Sequence, residues 1–418
     1  MPGSELAGSG GCQGADGSHN VCPLSCGDLA LPILLQAFLK KMDDPHRLKV
    51  LDGLRAVAII LVIGYHYFVR WTPPLSPENF YPYGDFATHF WLFRYGDLGV
   101  ELFFIISGFV ISMTLFRCRT IGQFYWKRFS RLFPTMLLCS ALTFVILTIL
   151  PQNAFRPQLR DFLPSLTFTD PLLWSKVFGV PFRAVDGAYW SLFVEVKFYF
   201  WISIVYFIAG ATRFFRTAAW AFGALVLLYL VVRVLNLPHL WAIDFIFALG
   251  ALPWFVAGIG FYALFSDRKN KFAWILLIES VVALAALHLG THAGTPAPFI
   301  ALGFGYAVFL ALLMRPRWVA WLAYPPLAAI GMASYSLYLL HQSIGVALLD
   351  LLRHSIGGDG HVFYALVVPF LAGALIFASL VIYRYWEAPA KEFLLSWRRV
   401  RSAPLGEAAA AGRSDQST

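Results

Sequence analysis

Charge is scarce in this chain. Asp, Glu, Lys and Arg make up 13% of its 418 residues, about half the ~25% of an ordinary soluble protein. The AVILMFWYC set supplies 59%, and mean hydropathy is +0.67. A water-soluble globule of this composition could not cover itself with polar surface. A single soluble domain, a pair of them, a disordered chain and a coiled coil are therefore excluded, and a polytopic membrane protein remains. Cysteine is also sparse. Three of the five, Cys12, Cys22 and Cys26, lie near the start, and Cys118 and Cys139 stand apart. No His spacing among them builds a zinc site, and no disulfide framework is implied. Residues 1–30 are rich in Gly and Ser and lack the basic-then-apolar order of a secretory signal. Residues 1–46 thus read as an N-terminal extension, either disordered or preceded by a start placed too early, because Met42 lies just ahead of the first conventional segment. No internal repeat is visible.

Acidic residues are outnumbered, 23 against 32 Lys and Arg, for a net charge of +9. In a soluble protein that balance would raise nucleic-acid binding. Here the cations sit in short clusters between apolar runs, the pattern of positive-inside loops, so no nucleic-acid partner is expected. About 20 apolar residues cross the hydrocarbon layer as a helix. Ten such runs are predicted, at about 50–70, 97–116, 132–150, 189–209, 217–236, 243–265, 272–290, 298–314, 327–350 and 362–383. Counted over alternate loops, 22 Lys and Arg fall on one side and 7 on the other, which predicts both termini cytosolic in a multi-pass cell-membrane protein. The expected fold is all-α, about ten transmembrane helices around a central cavity. The expected organisation is a membrane domain over 47–395 and a basic, then disordered, cytosolic tail over 396–418.

Ionisable groups inside a membrane are costly and tend to face a cavity. Arg55 and His66 lie 11 residues apart in the first predicted span, which at 100° per residue puts them on one face, about 16 Å apart along the axis. Taken singly, His66 reads equally well as an interfacial histidine and Arg55 as a snorkelling anchor. The second span opens Gly96-Asp97-Leu98-Gly99-Val100-Glu101, placing Glu101 at the depth of His66, where a carboxylate would raise the basicity of the imidazole and fix its tautomer. Ser107 and Gly108 follow deeper, as small residues that allow close packing. Glu195 lies one turn inside the fourth span after Trp190-Ser191, and His341 lies in the ninth after Ser334-Tyr335-Ser336-Leu337-Tyr338. In the predicted cytosolic loop, Arg128 and Arg131 have the i, i+3 spacing of a two-pronged anion site, although ordinary positive-inside charge gives the same pattern.

These segments resemble the acyltransferase 3 family of integral-membrane acyltransferases. The resemblance begins at Arg47-Leu48-Lys49-Val50-Leu51-Asp52-Gly53-Leu54-Arg55 and Tyr65-His66. It continues through Gly99–Phe109, Lys127–Pro134, Trp190–Glu195 and Ser334–His341, and it closes on Glu387-Ala388-Pro389-Ala390. The motifs stand in the family's order over about 47–395. The resemblance implies a membrane O-acyltransferase of the bacterial inner membrane, with cytosolic acyl-CoA, usually acetyl-CoA, as donor substrate and no tightly bound cofactor. It also implies a hydroxyl of a surface polysaccharide or other glycoside as acceptor. Carried onto this sequence, His66 is the expected base or transient acyl carrier. Arg128 and Arg131 are expected on the coenzyme A phosphates, and Arg55 on the pantetheine side or the oxyanion. Glu195 and Glu101 would orient the acceptor or His66, and Trp190, Ser191, Tyr338 and His341 would line the substrate. Glu101 replaces a common Asp, and Val196-Lys197 replaces a common acidic-then-amide pair. Direct transfer and an acyl-enzyme both fit.

Two decoys are set aside. His354 and Asp359 make an H-x4-D spacing, but in a Gly-rich loop predicted outside. His288 and His292 have helical i, i+4 spacing at a span end with no carboxylate nearby, so no metal is expected. The rival reading is a transporter or flippase without covalent chemistry.

Overall fold

The computed structural model describes residues 45–72, 75–76, 89–150, 155–235, 240–288, 295–356, 360 and 363–402. Residues 1–44 with Cys12, Cys22, Cys26 and Met42, together with His292, Asp359 and the tail after residue 402, lie outside the described residues. Long apolar runs in a bilayer must satisfy their backbone groups internally, and among the described residues they do so as helices, with no strand. In chain order the long elements are α1 (Pro45–Phe68), α2 (Gly99–Phe116), α3 (Ile121–Ile149), α4 (Trp190–Ala209) and α5 (Phe214–Val234). They continue as α6 (Leu240–Phe247), α7 (Leu252–Ser266), α8 (Lys271–His288), α9 (Ala297–Met314) and α10 (Pro325–Met332). The last are α11 (Ser334–His341), α12 (Ser343–Ile356), α13 (Val368–Ile382) and α14 (Ala388–Ser402).

Eight helices are long and apolar enough to cross a membrane, and the number reaches ten if each of two bent pairs is one span. All ten runs read from the sequence coincide with one of these. The differences from expectation are local. The third span starts at Ile121 and not near 132, because Thr120 caps the helix by accepting from the Gln123 N–H at 3.2 Å. Lys127, Arg128 and Arg131 therefore lie on a helix, where a loop was expected. The last span continues well past 383. Two π-helical turns, Phe363–Val367 and Tyr383–Glu387, carry it into α14.

The two bent pairs were expected as continuous spans. The α6–α7 pair is bent by 42° and the α11–α12 pair by 49°. Elsewhere the helices pack through small residues. α2 and α7 cross where a Cβ added at Gly108 would stand 2.1 Å from Phe255 O, and one at Gly258 would stand 2.2 Å from Ile105 O. Only glycine lets the two backbones approach this closely. Cys118 and Cys139 are buried and free. Between α3 and α4 the loop is itself folded. The Ser165 hydroxyl accepts from Val185 N at 3.0 Å, which holds the segment entering Asp186.

Candidate active site

Two polar clusters lie along α1. In the first, Arg55 and Asp52 form an ion pair at 2.6 Å. Arg55 lines a small pocket whose other polar lining residues are Ser107, Arg131, Ser191, Glu195, Tyr199, Ser334, Tyr335 and Tyr338. Glu195 Oε1 accepts from the Ser107 hydroxyl at 2.6 Å and from the Tyr199 hydroxyl at 2.8 Å. The Tyr199 bond uses the helical period, since Tyr199 stands four residues further along α4, whereas Ser107 reaches Glu195 from α2. Ser191 donates to the Tyr338 hydroxyl at 2.8 Å, and Tyr338 donates on to Ala188 O at 2.9 Å.

The second cluster is a histidine pair. His341 Nε2 stands 3.3 Å from His66 Nδ1. His341 Nδ1 lies 2.7 Å from Tyr338 O, and His66 Nδ1 lies 3.0 Å from Val62 O. A backbone carbonyl can only accept, so both Nδ1 atoms carry the proton. The lone pair of His341 Nε2 then faces His66 Nδ1, Nε2 is the unprotonated nitrogen of His66, and the Gln342 side chain is a further hydrogen-bond partner of that ring. His341 ends α11 at the break before α12, and the backbone groups freed there are satisfied by the surroundings. Tyr67 donates to His341 O at 2.8 Å. Asp186 accepts from Ser343 N at 2.9 Å and from Ala188 N at 2.8 Å. Burial raises the Asp186 carboxyl to about 6, against the pull of those two backbone donors.

At the N-terminal end of α3 a wider, open basin is lined by Arg117, Arg119, Lys127, Arg128, Arg131, Lys391 and Arg398, with no carboxylate among the described residues. Arg128 donates to the Thr114 hydroxyl and lies 5.3 Å from the centre of the Tyr199 ring. Its Nε has no hydrogen-bond partner. Arg131 lines both the basin and the inner pocket. Tyr338, which lines the inner pocket, accepts at its backbone oxygen from the His341 ring at 2.7 Å, so the basin, the inner pocket and the histidine pair adjoin through Arg131 and Tyr338. The chain belongs to the acyltransferase 3 family.

That membership rests on a family-wide sequence profile, described as an acyltransferase domain, which matches residues 48–384. The O-acetyltransferase OatA of Staphylococcus aureus strain NCTC 8325 / PS 47 is 26% identical over 396 residues, covering 85% of this chain and 59% of that protein. The peptidoglycan O-acetyltransferase OatA of Listeria monocytogenes serovar 1/2a is 25% identical over 167 residues, 36% of this chain and 22% of the relative. The chain thus spans 59% of the length of the longer-matching relative. No solved structure matches it significantly.

The structure brings together most of the residues singled out from the sequence, with two exceptions. Glu101, expected beside His66, lies on another face of α2 and lines a separate pocket with Asp244, Trp254 and His288. Depth along the helix was legible, but the facing direction was not, because it depends on which helix packs alongside. Trp190 is half exposed and does not line the inner pocket; its ring lies 6.3 Å from Phe104. Other polar groups escaped the sequence reading. Ser107, expected as a packing residue, bonds Glu195. Tyr199, Asp186, Lys391 and Arg398 were not singled out for the site. The i, i+4 spacing of Glu195 and Tyr199 was a signal available for the first of these.

Lys197, one of the departures from the family pattern, has a structural explanation. Its Nζ donates to Phe245 O at 2.8 Å and stands 3.8 Å from Asp170. It satisfies a carbonyl exposed by the α6–α7 break.

Proposed function

We propose that this chain is a membrane O-acetyltransferase that carries an acetyl group from cytosolic acetyl-CoA to a hydroxyl of a cell-surface glycan. In this reading it sits in the bacterial inner membrane with both termini in the cytosol. The observation that carries the proposal is that Arg131 lines both a carboxylate-free basic basin and an inner pocket whose Tyr338 contacts the histidine pair through His341. Coenzyme A has this division of chemistry, a phosphate-rich nucleotide on a neutral pantetheine arm. Arg128, Arg131 and their basic neighbours hold the phosphates, where guanidinium forks suit them. The arm passes Glu195 and Tyr199, and Arg55 stabilises the oxyanion of the tetrahedral intermediate.

His66 Nε2 takes the proton of the acceptor hydroxyl as its oxygen forms a bond to the acyl carbon. The carbon–sulfur bond then breaks, and the thiolate receives the proton from His66. A relay through an acetyl-histidine divides the same bond changes into two steps. General-base assistance of this kind is typically worth about 10² to 10⁴-fold.

Helices broken within the membrane are also a feature of transporters, and the two bent pairs favour that as the second reading. Membranes containing the chain, supplied with acetyl-CoA labelled in the acetyl group, separate the two. The enzyme transfers label to a glycan hydroxyl and a transporter does not. His66→Ala, expressed to the same level and migrating as the wild type on size exclusion, is expected to abolish transfer. Full transfer by that variant removes His66 from the reaction.

A further inference from the structure

The pocket that receives Glu101 belongs to nothing described so far. It is an open pocket lined by Glu101, Tyr229, Trp241, Asp244, Trp254 and His288 among others. It exists because of the α6–α7 break. Ala248 adopts a left-handed backbone at φ +51°, a conformation disfavoured for a residue with a Cβ. Asp244, Gly250 and Trp254 from either side of the turn line the space. The freed carbonyls are satisfied from outside, by Lys197 at Phe245 O and by the Trp201 indole at Ile246 O, 3.1 Å away. Non-helical backbone at membrane depth persists where it lines a cavity, and this break opens one. The first two turns of α2 contribute to both this pocket and the inner one. Val100, Phe103, Phe104 and Ser107 face one side, and Glu101 faces the other.

The lining selects a chemical class. Among the described residues no Lys or Arg lines the pocket, and its two carboxylates, Glu101 and Asp244, repel an anion; the nearby cations are already engaged, Arg233 with Tyr229 and Ala286 O and Lys176 with the Trp241 ring. No group of three His, Cys, Asp or Glu residues among the described residues is placed to hold a metal ion. Glu101 Oε2 is buried and has no hydrogen-bond partner, so it awaits a donor. Indole faces attract the polarised C–H face of a ring, and carboxylates accept from hydroxyls. An ammonium ligand would use similar residues, but Lys176 Nζ already stands 4.6 Å over Trp241, and a second cation at that ring would be repelled.

We infer that this pocket binds a neutral sugar ring of the acceptor glycan, next to the residue that is acylated, and so sets the preference for a polymer over a single sugar. The inference rests on the acetyl-transfer reading above.

The test uses the full chain in nanodiscs, with the tetramer of β-1,4-linked N-acetylglucosamine and the monomer as alternative acceptors. Glu101→Gln, Asp244→Asn and Trp241→Ala are each expected to raise KM for the tetramer at least tenfold. The kcat, the KM for the monomer and the slow hydrolysis of acetyl-CoA without acceptor are expected to stay within twofold of wild type. Trp241→Phe restores the ring face and recovers most of the loss. If the wild type transfers acetyl groups and all three variants keep the wild-type KM for the tetramer, the inference is wrong. Displacement of bound tetramer by millimolar tetramethylammonium overturns it in favour of a cation box. If the wild type transfers nothing, direct binding of labelled tetramer decides separately. Binding that is lost in Asp244→Asn upholds the pocket while the transfer reading fails, and no binding by the wild type overturns the pocket as well.

Discussion

The two broken spans solve one problem in opposite ways. A helix interrupted in a membrane exposes backbone groups that must find partners. At the α11–α12 break the partners are buried on every side. Tyr67 takes His341 O, Asp186 takes Ser343 N, and the product is a fixed imidazole against His66. At the α6–α7 break Lys197 and Trp201 satisfy two carbonyls from behind, and the front opens into a pocket where Glu101 Oε2 is unpartnered. The closed break positions a side chain, whereas the open break makes room for a ligand. Completeness of hydrogen bonding therefore separates a positioning element from a binding one.

Four substitutions sharpen or break this contrast, and the largest effect is expected at the histidine pair. His341→Ala removes the acceptor facing His66 Nδ1 and is expected to lower acetyl transfer by about 10²-fold, in the range of a lost acid–base element. The KM for acetyl-CoA should stay near wild type, because His341 lies away from the basic basin. An unchanged rate would show that the pairing only packs the break.

The next effect is on pH dependence. The folded state holds the Asp186 proton up to about 6, while an unfolded Asp releases it near 3.9. Between those values the fold binds more protons than the unfolded chain, so stability falls as pH rises through the window and levels off above about 6. The drop is on the order of 2 to 3 kcal/mol. Thermal unfolding in detergent from pH 4 to 7 should show this slope in the wild type, and Asp186→Asn should lack it. A variant that retains the slope would assign it to another group.

Lys197→Met removes the donor to Phe245 O and is expected to destabilise the open break by about 1–3 kcal/mol. Hydrogen exchange should quicken over 245–252 and remain slow over 341–346. Equal quickening at both breaks would mean that they do not behave as separate elements. Tyr67→Phe deletes one neutral hydrogen bond to His341 O, for a loss of about 1 kcal/mol. Here the exchange pattern should be reversed, with the change confined to the closed break.

The fold was legible in the sequence because its signals are local. Apolar run length, the scarcity of charge and the alternation of basic loops require no tertiary information. The breaks were less legible. The runs 243–265 and 327–350 read as spans by their overall apolarity, and although Gly250 and Pro253 stand at one break and Gln342 at the other, such residues are tolerated in continuous membrane helices too, so they do not by themselves distinguish a bent span from a straight one. The start of the third span was misplaced for a related reason. A basic cluster reads as a loop, yet Arg128 and Arg131 extend the helix beyond the apolar core and line its basic end.

The sequence by itself determined that this is a helical membrane protein of the acyltransferase 3 family, and it put Arg55, His66, Arg128, Arg131, Glu195 and His341 on the page as candidates. Helical period and hydropathy act along one chain and suffice for that. Only the tertiary structure decided which candidates meet. His341 meets His66 at the end of its helix, Glu195 turns to Ser107 and Tyr199, and Glu101 faces a separate pocket with Asp244 and Trp254. Facing directions are set by the packing of remote helices and by the need to partner every exposed backbone group in lipid, and neither is encoded in local spacing.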